Sequence, residues 1–144
     1  MLELRQPPVA RDVETLPIRS GDDVVRIRQA VRKAAVDLGF SLVDQTKLVT
    51  AASELARNTI DYGHGGDCEV EIIRSGERVG LRLVFADGGP GIPDIEQALR
   101  DGYTTGGGLG MGLGGARRLV DEFQIESTVG QGTTITVTRW TWKR

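Results

Sequence analysis

A carboxylate and a carboxamide stand four residues apart in the segment ASELARNTIDYG. Residues four apart are neighbours on one face of a helix, so Glu54 and Asn58 would project together. The Asn58 amide offers a neutral oxygen to a hard cation such as Mg²⁺, and the Glu54 carboxylate can accept a proton or orient a nucleophile. Taken alone, however, such a pair more often belongs to a solvated helix flank.

A third candidate, Asp87, directly follows the strand-like run RVGLRLVFA and precedes the loop GGPGIP. A carboxylate at the end of a strand can accept a hydrogen bond from an amino group such as that of adenine. The glycines after it would let a flat base lie against the backbone. Asp-Gly is also common in plain turns, so this segment alone is compatible with both interpretations.

The run GGGLGMGLGG, residues 106–115, is too rich in glycine to be accidental. A Walker P-loop would need Lys followed by Ser or Thr, which are missing here. A dinucleotide-binding fingerprint fits the glycine spacing but lacks the preceding strand and the later acid. Two interpretations remain equally good on this segment alone: a backbone cradle for anions at the start of a helix, or a mobile loop without a ligand.

Hydrophobic periodicity predicts the helices that must position these residues. One helix is expected from its N-cap Ser20 to Gly39, and a second from Ser41 to about Tyr62, where Gly63 stops it. Two shorter helical stretches are expected in IEQALRDG and LGGARRLVDEF. The second helix has a predicted core stripe of Leu48, Ala52, Leu55 and Thr59.

Five segments are predicted strands: ETLPIRS, CEVEIIR, RVGLRLVFAD, QIESTVG and TTITVTRWTW. Trp140 and Trp142 alternate with Thr141, so they share one face, which we expect to be the core. Strands joined by tight turns, with helices that must share one face, predict an α+β two-layer sandwich. Residues 1–144 are expected to form a single domain, since 144 residues is an ordinary domain size.

Composition narrows the class of protein. A net charge of −2 argues against a general nucleic-acid binder, and no apolar run approaches the ~18 residues that span a bilayer. Cys68 is the single cysteine, which excludes an internal disulfide and favours a reducing compartment. The first residues contain no apolar signal-peptide core. We therefore expect a cytoplasmic protein with no nucleic-acid or membrane partner.

Together, and in this order, the segments resemble the ATP site of the GHKL ATPase/kinase superfamily. ELARN is similar to its N-box, DGGPG to its first glycine box, GGGLGMGLGGARRL to its second and GQGTT to its third. The resemblance extends from Thr15 to Trp140. It implies the GHKL (Bergerat) fold, in which a mixed, mostly antiparallel sheet carries helices on one face.

The resemblance also implies a role for each matched residue. Asn58 would bind Mg²⁺, and Asp87 would hydrogen-bond the adenine amino group of ATP. Glu54 would act as the catalytic base or orient the attacking group. Residues 93–105 would be a short lid. The adenine pocket would be completed by Gly89, Gly91 and Thr133. The glycines that close around the phosphates would be Gly108, Gly110, Gly112 and Gly114.

Within the superfamily, the chain resembles the small serine/threonine kinases of bacterial partner-switching systems, of the RsbT stressosome type, which are cousins of the anti-sigma-factor kinases. His64 lies in a loop and does not resemble a phospho-acceptor. The resemblance implies phosphorylation of a STAS-domain antagonist, followed by release to a PP2C-type phosphatase of the stress pathway. The alternative is a module that sequesters a sigma factor and uses the nucleotide only to change affinity.

Arg57 is expected to point away from the core, toward a partner.

Overall fold

The computed structural model describes residues 9–100 and 112–142 of the chain. These residues form five strands and four helices. In chain order they are β1 (Val9–Ile18), α1 (Gly21–Asp37), α2 (Leu42–Asp61), β2 (Gly66–Ser75), β3 (Arg78–Asp87), α3 (Ile95–Ala98), α4 (Gly112–Arg117), β4 (Glu122–Thr128) and β5 (Gly132–Trp142). None of the helices among the described residues is long and apolar enough to cross a membrane.

The strands form one sheet in the order β1-β2-β3-β5-β4. Leu81, Leu83 and Phe85 alternate along β3 and join the same buried cluster as Leu48 and Leu55 of α2. The predicted α+β two-layer sandwich is therefore confirmed. The resemblance implied a partly mixed sheet, whereas every strand pair among the described residues is antiparallel, because β2–β3 and β4–β5 are hairpins and β5 returns antiparallel to β3.

The two long helices begin in different ways. The Ser41 hydroxyl caps α2 as predicted, since it accepts a hydrogen bond from the Asp44 backbone N–H at 3.1 Å. Ser20 stands at the N-cap of α1, but its side chain makes no capping bond. The Asp23 carboxylate accepts the Arg19 backbone N–H instead, at 2.8 Å. That hydrogen bond holds the pKa of Asp23 below its usual value.

α2 ends close to the predicted stop. Tyr62 is its C-cap, and the backbone N–H groups of Gly63 and Gly65 both donate to the Thr59 carbonyl, at 3.1 and 2.9 Å. His64 adopts a positive φ of 62° between them. The chain therefore turns sharply enough for β2 to start at Gly66, directly beside the end of β3.

α4 is shorter than the helix predicted over LGGARRLVDEF, because it ends at Arg117 and β4 begins at Glu122. The reason is pairing with β5. Phe123 lies opposite Val137 in the sheet, and the Arg139 guanidinium donates to the Leu119 carbonyl at 3.1 Å. These long-range bonds outweigh the local helical pattern.

The prediction that Trp140 and Trp142 face the core is wrong. Trp142 is 68% exposed, and Trp140 lies under the Arg78 guanidinium, 4.3 Å from the ring centroid, with its indole N–H donating to Glu122. Side chains alternate along a strand, and Val137 of β5 already points into the core. The even-numbered tryptophans must therefore lie on the face of the sheet that carries no helix.

Replacing Leu55 with Ala tests the packing between α2 and the sheet. Leu55 is 0% exposed, so the truncation should lower the free energy of unfolding by about 2–5 kcal/mol. Leu42→Ala is the matched control on the same helix. Leu42 is 71% exposed, and its truncation should change stability by less than about 0.5 kcal/mol. Urea denaturation measures both, and equal losses would contradict the burial of this helix face.

Cys68 gives an independent check on the sheet. It is fully buried in β2, and burial raises the pKa of its thiol to about 12. Very little thiolate is then present at neutral or mildly alkaline pH, and the thiolate is the reactive form. We expect negligible modification by a disulfide reagent in the folded protein and rapid modification in denaturant. Rapid reaction under native conditions would mean that β2 is open to solvent.

Candidate functional site

A cavity of about 770 Å³ lies between α2, the end of β3, the loop that follows it and the start of β5. Its volume is typical of sites that bind a small molecule. Its lining includes six of the residues predicted from the sequence: Glu54, Asn58, Asp87, Gly91, Gly112 and Thr133. Residues from four separate segments of the chain therefore meet around one space.

The Asp87 carboxylate is held in place by backbone donors. Its Oδ1 accepts the N–H of Gly89 at 2.9 Å and the N–H of Thr133 at 3.3 Å. No donor among the described residues bonds to Oδ2. An amino group of a ligand in the cavity could therefore donate to this carboxylate without breaking an existing bond.

Gly63 explains how Asp87 can lie there. A Cβ on Gly63 would come within 2.4 Å of the Asp87 carboxyl group, and a Cβ on Gly89 would come within 2.7 Å of the Gly63 backbone. We expected the glycines after Asp87 to leave room for a base. The structure shows that Gly89 leaves room for the end of α2. Gly63 leaves room for Asp87, although from the sequence it was predicted only to stop the helix.

The helix face that carries Glu54 and Asn58 lies at the border of the buried side. Both residues are half-buried, between the fully buried Leu55 and the exposed Arg57. Arg57 also lines the cavity, together with Asp61 of the next turn. From the sequence, Arg57 was expected to face a partner and Asp61 was not identified, although both follow Glu54 at helical spacing.

The Thr133 hydroxyl is hydrogen-bonded to Ser127, a residue that we did not predict from the sequence. The two hydroxyl oxygens lie 2.7 Å apart, and the Ser127 oxygen also accepts the Ile92 backbone N–H at 2.7 Å. Ser127 therefore ties the β4–β5 hairpin to the loop after β3. The hairpin register places Ser127 opposite Thr133, so pairing the two closing strands in the sequence would have identified it.

Apolar side chains form part of the cavity wall. Phe85 and Ile135 are cross-strand neighbours on β3 and β5, are almost fully buried, and line the cavity beside Asp87. An apolar wall next to a fixed carboxylate suits a flat heterocycle that carries an amino group.

Gly112 and Gly114, two of the glycines predicted to close around the phosphates, lie among the described residues. Gly112 begins α4 with a φ of 68°, and Gly114 packs so tightly that a Cβ would lie 2.3 Å from the Leu99 carbonyl oxygen. Gly114 thus contacts the segment after α3 and does not line the cavity. Gly108 and Gly110 lie outside the described residues, as does the second half of the predicted lid. The first half of that lid contains α3, which Asp94 caps.

The polar side chains of the described residues restrict how a metal ion could be bound. Within residues 9–100 and 112–142, no cluster of three or more His, Cys, Asp or Glu side chains could hold a metal by itself. The cavity does contain the Asn58 amide and the Glu54 carboxylate one turn apart. Such a donor set fits Mg²⁺, which commonly keeps several waters and takes further oxygen ligands from a bound phosphate.

Comparisons with known proteins identify a family and several relatives. Residues 43–141 match the family described as histidine kinase-, DNA gyrase B-, and HSP90-like ATPase. The chain is 46% identical over 118 residues to the serine/threonine-protein kinase RsbT of Bacillus subtilis (strain 168), covering 82% of this chain and 89% of that one. It is 30% identical over 119 residues to an anti-sigma F factor of Thermoanaerobacter sp. (strain X514), covering 78% and 82% of the two chains.

Two solved structures share the fold. The RsbU and RsbW domains of Rv1364c from Mycobacterium tuberculosis superpose with a TM-score of 0.59 at 23% identity, covering 96% of this chain and 34% of that one. The mycobacterial sensor histidine kinase MprB gives 0.55 at 19% identity, covering 91% and 99%. The family match covers more than half of the sequence and includes α2, β3 and β5, which surround the cavity. The chain therefore belongs to the histidine kinase-, DNA gyrase B- and HSP90-like (GHKL) ATPase family.

Proposed function

We propose that this protein is a serine/threonine protein kinase that binds ATP in the cavity and transfers the γ-phosphate to a small STAS-domain antagonist protein. The observation that carries the proposal is the convergence of Glu54, Asn58 and Asp87 on one cavity from α2 and the end of β3. The similarity to a serine/threonine-protein kinase over most of both chains supports it.

Adenine occupies the end of the cavity where Asp87 and Thr133 lie. The exocyclic amino group donates to the Asp87 carboxylate, whose Oδ1 is already fixed by two backbone N–H groups. The base packs against Phe85 and Ile135. Gly89 keeps the end of α2 close to this pocket, and Gly91 lines it.

The phosphates extend from there along α2, past Asn58 and toward Glu54. The Asn58 amide oxygen would be the protein ligand for Mg²⁺, which when bound would neutralise charge on the phosphate oxygens. Gly112 at the start of α4 also lines the cavity. The predicted phosphate contacts of Gly108, Gly110 and Gly114 remain predictions.

Transfer requires one bond to form and one to break at the γ-phosphorus. The serine or threonine hydroxyl oxygen of the substrate bonds to that phosphorus, and its proton moves to the Glu54 carboxylate. The bond to the β,γ-bridging oxygen breaks, and its electron pair leaves with ADP. Glu54 suits this role because it is half-buried and lines the cavity, where a bound nucleotide and the substrate hydroxyl would have to meet.

In a partner-switching cycle, the phosphorylated antagonist dissociates and the kinase binds a second protein, a PP2C-type phosphatase. A second candidate function has support from the similarity to an anti-sigma F factor. In that case the chain sequesters a sigma factor, and the nucleotide changes only its affinity. The Glu54 carboxylate in the cavity favours catalysis, since nucleotide-gated binding does not need a base.

Gly63→Ala should weaken ATP binding roughly ten- to hundredfold, because the new methyl group displaces the Asp87 carboxylate that receives the adenine amino group. Gly88→Ala is the matched control, since a Cβ there meets nothing within 4 Å. Calorimetric titration with Mg·ATP measures both. An equal loss in the two variants would mean that displacement of Asp87 is not the cause.

Glu54→Ala should lower phosphate transfer about 10²–10⁴-fold while leaving ATP affinity nearly unchanged, since the variant removes the proton acceptor and keeps the residues proposed to contact adenine. The assay follows label from [γ-³²P]ATP to a STAS-domain protein. Glu77→Ala, an exposed acid in the β2–β3 turn, should behave as wild type. Tight partner binding by the wild-type chain without any transfer of label would instead favour the sequestering module.

A further inference from the structure

The charges around the cavity are unbalanced. Four carboxylates line it, from Glu54, Asp61, Asp87 and Asp94. A triphosphate would add further negative charge to this space, of which one Mg²⁺ offsets only a part. Arg57 is the only lysine or arginine among the described residues that line the cavity.

Helical geometry places Arg57 on the outer side of Glu54. With about 100° of rotation per residue, Glu54 lies between Asn58, about 40° toward the core, and Arg57, about 60° toward solvent. The predicted base is therefore flanked by the amide that would hold the metal and by a cation at the mouth of the cavity. This is where the terminal phosphate and an incoming hydroxyl would meet.

The Arg57 guanidinium is available for such a contact. It is exposed, and neither a hydrogen bond nor an ion pair ties it to another residue in the described part of the chain. The sequence of residues 101–111, DGYTTGGGLGM, contains no lysine or arginine that could take its place. A planar guanidinium can donate two parallel hydrogen bonds to phosphate oxygens.

We propose that Arg57 contacts the γ-phosphate of ATP and stabilises the charge on that group during transfer. This inference rests on the proposed kinase function and assigns the same site a further substrate-contacting residue. Arg57 then acts only when the third phosphate is present. It should therefore distinguish ATP from ADP, and its loss should affect transfer more than adenine binding.

The experiment compares Arg57→Ala and Arg57→Lys with wild type. Calorimetry measures binding of Mg·ADP and of the magnesium complex of a β,γ-imido ATP analogue. For Arg57→Ala, affinity for the analogue should fall roughly ten- to hundredfold and affinity for ADP less than about twofold. Arg57→Lys should recover part of the loss, because it keeps the charge but not the two-pronged geometry.

Lys47→Ala is the matched control. Lys47 is a cation on the same helix, about 15 Å of helical rise before Arg57 and about 80° from it around the helix axis, and it does not line the cavity. It should leave both affinities unchanged. Single-turnover transfer to the STAS-domain protein provides the second readout, and Arg57→Ala should lower its maximal rate without a matching rise in the KM for that protein.

Each of four results would overturn the inference. Equal loss of ADP and analogue binding would place Arg57 elsewhere on the nucleotide. Unchanged nucleotide binding with only a raised KM for the protein substrate would make it a docking residue. If the wild-type chain bound neither nucleotide, the proposed function would fail as well. Wild-type binding of both nucleotides, with discrimination unaltered by Arg57→Ala, would overturn only this assignment.

Discussion

The close approach of the end of α2 to the end of β3 determines the shape of the cavity. Gly63 has no side chain, so the Asp87 carboxyl group occupies the place that a Cβ would fill. Gly89 packs closely against the backbone of Gly63. Because two backbone N–H groups then fix the carboxylate, its position depends on main-chain packing and not on a flexible side chain.

Packing in the core determines how α2 is rotated about its own axis. Its buried stripe, which includes Leu48 and Leu55, packs against β3 and holds the rotation of the helix. Rotation and axial position together decide which polar side chains face the cavity. Glu54 and Asn58 face it because they border that stripe, so core packing and the placement of the chemical groups cannot vary independently.

Much of this arrangement could be predicted from the sequence, because it depends on local periodicity. The extent of α2, its buried stripe and the border position of Glu54 follow from helical spacing alone. The end of α4 could not be predicted, since the bond from Arg139 to the Leu119 carbonyl joins residues twenty positions apart. The role of Gly63 was missed for the same reason, because the carboxylate that it accommodates comes from another element.

Failure to predict the tryptophan face has a different cause. Period-two alternation shows that Trp140 and Trp142 share a side of β5, but it does not show which side is covered. That choice depends on where the helices pack, and Val137 and Ile135 already occupy the covered side. Arg78 and Glu122 then provide a polar setting for the Trp140 indole, by a cation–π contact and a hydrogen bond.

The placement of the tryptophans affects how this protein can be observed. Both tryptophans of the chain lie on the open side of the sheet, whereas Phe85 and Ile135, which line the cavity, point to the opposite side. Tryptophan emission therefore senses the solvent-facing surface of β5 and is a poor direct reporter of ligand entry. A spectral change on mixing with another protein would indicate contact at that surface or a rearrangement carried through the sheet.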